Sequence, residues 1–271
     1  MQIFSWLKIK GRKLIGGKIS IDGSISSQFI SSLLMIAPTL QKGLTLTIEG
    51  KIVSKSYIQM TLKLMEEFGV NHCWEGNKIV VKQQNYTAKN YTVEADWSAA
   101  AFWFEIASLS NKCRIVLHRL QQNSLQGDSD VRDLFTDLGV TSSFQDSSLI
   151  LKKKESSQNL YEVNLINTPD LYQPLKCTLF ALSKSPKFTG IQTLKDKETN
   201  RVLAINTELR KLNVSNSIET YNDHRIAMSF APLCLAYGEI EIQNIEVVSK
   251  SYPNFWKDLK KGGFIISPST D

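Results

Sequence analysis

Lys197-Glu198-Thr199-Asn200-Arg201, followed by Val202, Ile205, Leu209 and Leu212, sets a charged pentad at the head of an apolar stripe with helical spacing. The stripe predicts an amphipathic helix with one buried face. The pentad then falls on its first turn, where unpaired backbone N–H groups and the positive end of the helix dipole favour an anion. Lys197 adds a point charge there, and Arg201 a bidentate fork. A carboxylate in that setting, Glu198, suits the handling of a proton. Taken alone, the pentad also fits an exposed helix start with an i,i+3 Glu198–Arg201 ion pair.

The same local grammar occurs four times. Each copy has a helix opened by small or polar residues, then a strand, a polar loop, and a second helix that ends near a small residue plus an apolar one. The polar loops hold Ser54-Lys55, Asn123-Ser124, Lys197-Glu198 and Ser249-Lys250. Each precedes its closing pair, Gly69-Val70, Gly139-Val140, Asn213-Val214 or Gly263-Phe264, by about fifteen residues, so spacing persists where identities drift. The opening helices are announced by Asp22-Gly23-Ser24-Ile25-Ser26-Ser27-Gln28, Asp96-Trp97-Ser98-Ala99-Ala100, Thr168-Pro169-Asp170-Leu171 and Tyr221-Asn222-Asp223-His224-Arg225. All four contain an N-cap residue type. Between the helices lie β-branched runs such as Leu44–Ile48, Cys113–Leu117 and Glu239–Ile242. Repeated α/β units follow, with helices packed on sheets and equivalent loops at equivalent ends. The polar helix starts then converge on a common site.

At 271 residues the chain is long enough for two compact domains. No apolar run reaches the roughly eighteen residues of a membrane span, and Met1–Lys8 is too short and too soon charged for a signal peptide. The expected location is the cytoplasm, with no membrane partner. Cys73, Cys113, Cys177 and Cys234 lie far apart in apolar contexts, as reduced core thiols do. His72, His118 and His224 show no ligand spacing, so no metal is expected. The net charge of +6 is spread along the chain, and its one local run, Lys152–Lys154, lacks the interleaved aromatics of a nucleic-acid surface. That run reads as a solvated strand end. Cations at helix starts fit a small anionic substrate instead.

Seven ordered blocks carry a resemblance over Leu14–Phe255: Ser26-Ser27-Gln28-Phe29, Val53–Ile58, Asn123-Ser124-Leu125-Gln126-Gly127-Asp128, Asn167–Leu171, Lys197–Arg201, Tyr221–Arg225 and Ser249-Lys250-Ser251-Tyr252-Pro253. In them the sequence resembles the 3-phosphoshikimate 1-carboxyvinyltransferase (5-enolpyruvylshikimate-3-phosphate synthase) family of enolpyruvyl transferases. The resemblance implies transfer of the enolpyruvyl group of phosphoenolpyruvate to the 5-hydroxyl of shikimate 3-phosphate, with release of phosphate, on the route to chorismate and aromatic amino acids. It implies no metal or organic cofactor, two small-molecule substrates and a monomer. Ser26, Ser27, Gln28, Ser54 and Tyr57 would hold shikimate 3-phosphate. Asp170 and Lys197 would hold its ring hydroxyls and Thr193 would also bind it, with Asp170 accepting the proton of the attacking hydroxyl. Arg201, Arg225 and Lys250 would clamp phosphoenolpyruvate, Gln28 would reach both ligands, and Glu198 would exchange a proton with the methylene carbon. The chemistry asks for these types, because a general acid near C3, a base at the hydroxyl and fixed cations around the intermediate's charges are all required.

The implied fold is a two-domain α/β enolpyruvyl transferase with the first domain incomplete. Residues 1–94 are expected to form the last repeat unit of that domain, and 95–271 three units of the second. Family members are longer, and the early Lys and Arg that bind both ligands have no counterpart before Ser26, which predicts impaired activity. Asn200 replaces the family's usual Asp, and Asp196, Tyr172 and Pro174 are further departures. The other readings are a catalytically dead anion-binding remnant, half of a split enzyme, and the sibling UDP-N-acetylglucosamine enolpyruvyl transferase, whose family lacks the Ser-Ser-Gln and Lys-Glu-Thr blocks.

Overall fold

A computed structural model describes residues 8–24, 26–156, 162–212 and 214–268. Met1–Leu7 of the expected opening segment, Ile25 of the first helix signal and Asn213 of the third closing pair lie outside the described residues. The chain divides into two compact units, one running through Ile52 and resuming over Ile58–Asn90, the other comprising Val53–Tyr57 and everything from Tyr91.

The smaller unit is ordered β1 (Gly17–Asp22), α1 (Ser27–Ile36), β2 (Leu44–Glu49), α2 (Lys55–Glu67), β3 (Cys73–Glu75) and β4 (Lys78–Val81). Its sheet runs β1-β2-β4-β3, with β1 and β2 parallel and the other pairs antiparallel. Alternation in Leu44-Thr45-Leu46-Thr47-Ile48 turns Leu44, Leu46 and Ile48 inward. They meet Ile30 and Leu34 of α1 and Ile58, Leu62 and Met65 of α2 in one core. Each such side chain contributes roughly 1.5–3 kcal/mol by leaving water. α1 starts where Ser26 Oγ accepts from the Gln28 N–H at 3.3 Å.

The larger unit continues with α3 (Trp97–Leu109), β5 (Arg114–His118), α4 (Val131–Thr136), β6 (Val140–Gln145), β7 (Ser148–Lys153), β8 (Glu162–Asn164), α5 (Tyr172–Ala181), β9 (Lys187–Thr189), α6 (Arg201–Lys211), β10 (Ser217–Ile218), α7 (His224–Phe230), α8 (Cys234–Tyr237), β11 (Glu241–Ile242) and α9 (Phe255–Lys261). The antiparallel sheet β5-β7-β6 and the parallel pairs β8-β9 and β10-β11 flank a helical core. α3 is apolar nearly all round and therefore buried nearly all round, with Trp97, Phe102, Phe104 and Ile106 packed in the same cluster as Leu175 of α5 and Phe230 of α7. Helix, strand and second helix recur as α1-β2-α2, α3-β5-α4, α5-β9-α6 and α7-β11-α9, the order expected from the repeat.

Local corrections have physical causes. α6 starts at Arg201, not Lys197, because Asn200 Oδ1 accepts from the Leu203 N–H at 3.2 Å and caps the helix there. Lys197 ends a 3-10 turn over Gln192–Asp196, and Glu198 lies in the link. Thr168 makes no side-chain cap; Pro169–Leu171 form a 3-10 turn leading into α5. Pro174 then sits in the first turn of α5, where no helical partner for its missing N–H is needed, and Tyr172 is buried edge-on against Phe188. Of the cysteines only Cys177 is a core thiol; Cys73 is exposed, Cys113 and Cys234 are half-buried, and all four are free. The lysine run is not wholly solvated, since Lys153 Nζ donates to the Ser108 carbonyl at the end of α3.

Candidate active site

Four helix starts and turns of the larger unit deliver one ion-pair network. Asp170 comes from the turn before α5, Arg201 from the first residue of α6, Arg225 from the first turn of α7, and Lys250 from the end of a 3-10 turn over Ile245–Lys250. Arg201 is the hub: its Nη1 lies 3.2 Å from Asp170 Oδ1, its Nη2 2.7 Å from Glu198 Oε2, and its Nε 2.7 Å from Asp223 Oδ2. Arg225 Nη2 lies 2.9 Å from Asp170 Oδ2, and Lys250 Nζ bonds Glu198 Oε1. Asp223 also caps α7, its Oδ1 accepting from the Arg225 N–H at 2.9 Å. Two consecutive left-handed residues, Tyr221 and Asn222, turn the chain into that cap.

A second carboxylate stands behind Asp170. Tyr57 Oη lies 3.3 Å from Asp170 Oδ2 and 3.5 Å from Asp128 Oδ1, while Ser98 Oγ bonds Asp128 Oδ2. Asp128 is placed by the Asn123–Asp128 block: Gln126 Oε1 accepts from the Trp97 N–H at 2.9 Å, and its Nε2 donates to the Ala95 carbonyl at 2.8 Å. Glu94 holds the block from beneath, accepting from Ser124 Oγ at 2.8 Å. Gly127 is required, because a Cβ there would come within 2.7 Å of the Ser56 Cβ. Ser56 Oγ bonds the Asn167 carbonyl, and the Ser54 N–H donates to the Ile166 carbonyl at 3.0 Å, so Val53–Tyr57 is tied to the segment that carries Asp170. Ser54 is buried and left-handed at the entry to α2.

The surroundings push the carboxylates apart in acidity. Burial raises the Asp170 pKa, but the charges of Arg225, Arg201 and Lys197 outweigh it and hold the carboxyl below its ordinary value. Asp128 has the opposite balance: burial and the Asp170 charge push it up to about 7, against the Ser98 hydrogen bond and Arg225. Glu198 is half-buried, which alone would raise it; the Lys250 hydrogen bond, a backbone N–H and the charges of Arg201 and Lys250 bring it down to about 2. Burial and the two aspartates keep the Tyr57 phenol protonated, well above its ordinary pKa.

Of the residues singled out in the sequence, the structure joins Tyr57, Asp170, Glu198, Arg201, Arg225 and Lys250 by direct contacts, and Lys197 acts on Asp170 through its charge. Thr193 lies in the turn before Lys197 with its Oγ1 buried and without a partner among the described residues. Ser26 caps α1 in the smaller unit, and Ser27 and Gln28 open its first turn, with Ser27 buried. Glu198–Arg201 is an ion pair as the simple reading had it, yet Arg201 is buried, which no exposed helix start allows. The guanidinium of Arg225 is partnered by Asp170, not by Asp223; Asp223 instead binds Arg201. Asp128 and Asp223 were missed as functional groups, although both lie inside quoted blocks; an acid two residues before Arg225 and another closing the Gln-Gly-Asp turn were the available signals. A groove of about 1270 Å³ lies elsewhere, along β5 and the segment after α9, and none of these site residues lines it.

Comparison with known proteins bears on the family of the chain. The EPSP synthase (3-phosphoshikimate 1-carboxyvinyltransferase) family model matches residues 2–259. The 3-phosphoshikimate 1-carboxyvinyltransferase of Bacteroides fragilis strain YCH46 is 41% identical over 97% of this chain and 70% of its own length. That of Haemophilus ducreyi is 32% identical over 94% of this chain and 63% of its own. The EPSP synthase structure from Acinetobacter baumannii superposes with a TM-score of 0.71 at 20% identity, covering 93% of this chain and 64% of that one, and so shares its fold. A family model spanning nearly the whole chain, a 41% identical relative and the charged blocks lying where the fold gathers them together place this chain in the EPSP synthase (3-phosphoshikimate 1-carboxyvinyltransferase) family.

Proposed function

We propose that the chain transfers the enolpyruvyl group of phosphoenolpyruvate to the 5-hydroxyl of shikimate 3-phosphate. The observation that carries this reading is the bridge made by Arg201 between two carboxylates of different setting, Asp170 and Glu198. Asp170, held ionised by Arg225 and Arg201, is suited to take the hydroxyl proton as the oxygen attacks C2 of phosphoenolpyruvate. Glu198 must give a proton to C3 in that step and take it back when phosphate leaves. With its pKa at about 2 it is ionised and has no proton to give as long as Lys250 is bound to it. A phosphoenolpyruvate carboxylate or phosphate that draws Lys250 and Arg201 onto itself removes the groups that hold Glu198 ionised, and so lets it carry a proton. Binding and acid strength are thereby coupled.

Arg201, Arg225 and Lys250 then offset the charge of the tetrahedral intermediate. Lys197, Thr193, Ser54 and Tyr57 take the shikimate 3-phosphate roles named above, and the α1 N-terminus with Ser26, Ser27 and Gln28 offers hydroxyl, amide and backbone donors to a phosphate. The same reading makes the chain a cytoplasmic monomer acting on small molecules; no described helix is long and apolar enough to cross a membrane. The test is phosphorus NMR of the purified chain with both substrates. Enolpyruvylshikimate 3-phosphate and phosphate should form together and stop forming in Asp170→Asn. A chain that binds neither substrate in calorimetric titration overturns the reading.

A further inference from the structure

The geometry points to Asp128 as the far end of a proton relay that starts at Asp170 and passes through Tyr57. This rests on the transferase reading, in which Asp170 receives the hydroxyl proton. A base buried among Arg225, Arg201 and Lys197 is a poor place to keep that proton, because protonating Asp170 breaks up the ion pairs that hold it. Tyr57 offers an exit. Its hydroxyl sits between the two aspartates, at 3.3 Å and 3.5 Å, and one O–H can donate to only one of them at a time. Long, poorly committed hydrogen bonds of this kind are usual before ligands tighten a site.

The step balances without another reagent. The hydroxyl O–H bond breaks as its oxygen bonds to C2, and Asp170 takes the proton. Tyr57 accepts that proton from Asp170 and passes its own phenolic proton to Asp128, so that Asp170 is again ionised and Tyr57 unchanged. When the C–O bond to phosphate breaks, the oxygen released needs one proton, and the reverse path supplies it. Asp128 is suited to store the proton, being 3% exposed and given a hydrogen bond by Ser98 on the side away from Tyr57. The charged groups acting on it are Asp170, Arg225 and Asp96, with Tyr57 in direct contact, and together with burial they bring its acidity close to neutrality, where a proton is exchanged rather than locked. Ser98 sits in the first turn of α3 and Asp128 in the turn before α4, so both ends of the contact stand on buried backbone.

Asp128 is a positioning residue in this scheme, since it reaches substrate only through Tyr57. The experiment has two arms on the intact chain, using Asp128→Asn, Tyr57→Phe and wild type. In the first, carboxyl groups are titrated by carbon NMR with Asp-labelled protein and no substrate. A carboxyl titrating near neutrality should be present in wild type, absent in Asp128→Asn, and shifted in Tyr57→Phe because its bridge to Asp170 is gone. In the second, the pH dependence of turnover is measured: wild type should gain rate as pH rises through about 7, where Asp128 becomes free to accept. Both variants should lose that limb, with turnover lower on the order of tenfold. An Asp128→Asn enzyme with the wild-type pH profile, or a titration unchanged in Tyr57→Phe, overturns the relay. Absence of turnover in all three proteins, wild type included, counts against the transferase reading, and the first arm still decides whether the three groups share a proton.

Discussion

Arg201 Nε lies 2.7 Å from Asp223 Oδ2, with the arginine side chain 2% exposed and the aspartate fully buried. Such a pair contributes little net stability, because the attraction only offsets the cost of removing two charges from water. Breaking it by one side is different. Asp223→Ala would leave Arg201 short of a buried partner and strip the α7 N-cap at once. We expect a loss of about 3–5 kcal/mol for the buried charge and about 1 kcal/mol for the cap, measured by urea unfolding. A loss under about 1 kcal/mol would show that Arg201 finds enough compensation in Glu198 and Asp170 alone.

Lys250 gives the opposite forecast. Its side chain is 59% exposed and its partner Glu198 26% exposed, so the pair is screened and worth at most about 1 kcal/mol. Lys250→Met should leave the unfolding midpoint nearly unchanged. It should weaken phosphoenolpyruvate binding by roughly tenfold or more through loss of one charged donor. The Glu198 pKa should rise from about 2 toward its ordinary value, read by carboxyl NMR. If Glu198 does not move, the coupling of binding to its acid strength fails.

What could be read from the sequence was what repeats locally. Leu44–Ile48 alternates and folds as a strand; Val202, Ile205 and Leu209 recur at helical spacing and fold as α6. The start of α6 was misread by four residues because a single Asn200 cap outweighs the charge pattern around it. Arg225 follows Asp223 by two residues, yet its guanidinium reaches Asp170, an aspartate 55 positions away. Tyr57 and Asp128, 71 positions apart, share no pattern at all. Sequence motifs located the charged groups, but only tertiary packing decides which carboxylate is left to face which cation.

Asp128 makes stability depend on pH in a defined direction. Its folded pKa of about 7 stands above the ordinary 3.8, so its contribution is fully present below about pH 4 and is lost as pH rises through about 7. Asp128→Asn keeps the shape, can still accept from Ser98, and removes that dependence. In urea unfolding between pH 4 and 8, the variant should lose less stability with rising pH than wild type does. Parallel curves would mean that Asp128 stays ionised throughout.

Glu105 extends the argument to the core. It is fully buried in α3, and neither carboxyl oxygen has a partner among the described residues, in contrast to Glu208, which is equally buried but accepts from Tyr221 Oη, the Glu219 N–H and Lys211 Nζ. Burial therefore pushes the Glu105 pKa well above 4.5, and its ionised form also faces the neighbouring Cys177 thiol across the core. A folded pKa above the unfolded one means stability that is complete below about pH 4.5 and drains away as pH rises toward the folded value. Glu105→Gln conserves volume and cannot ionise. It should match wild type at pH 4 to within about 1 kcal/mol, since a neutral amide simply replaces a neutral acid. At pH 8 it should be the more stable protein, and the gap between the two curves should widen steadily from about pH 5 upward. Thermal melts across this range check it, and a constant gap at every pH would mean that Glu105 finds a partner when it ionises.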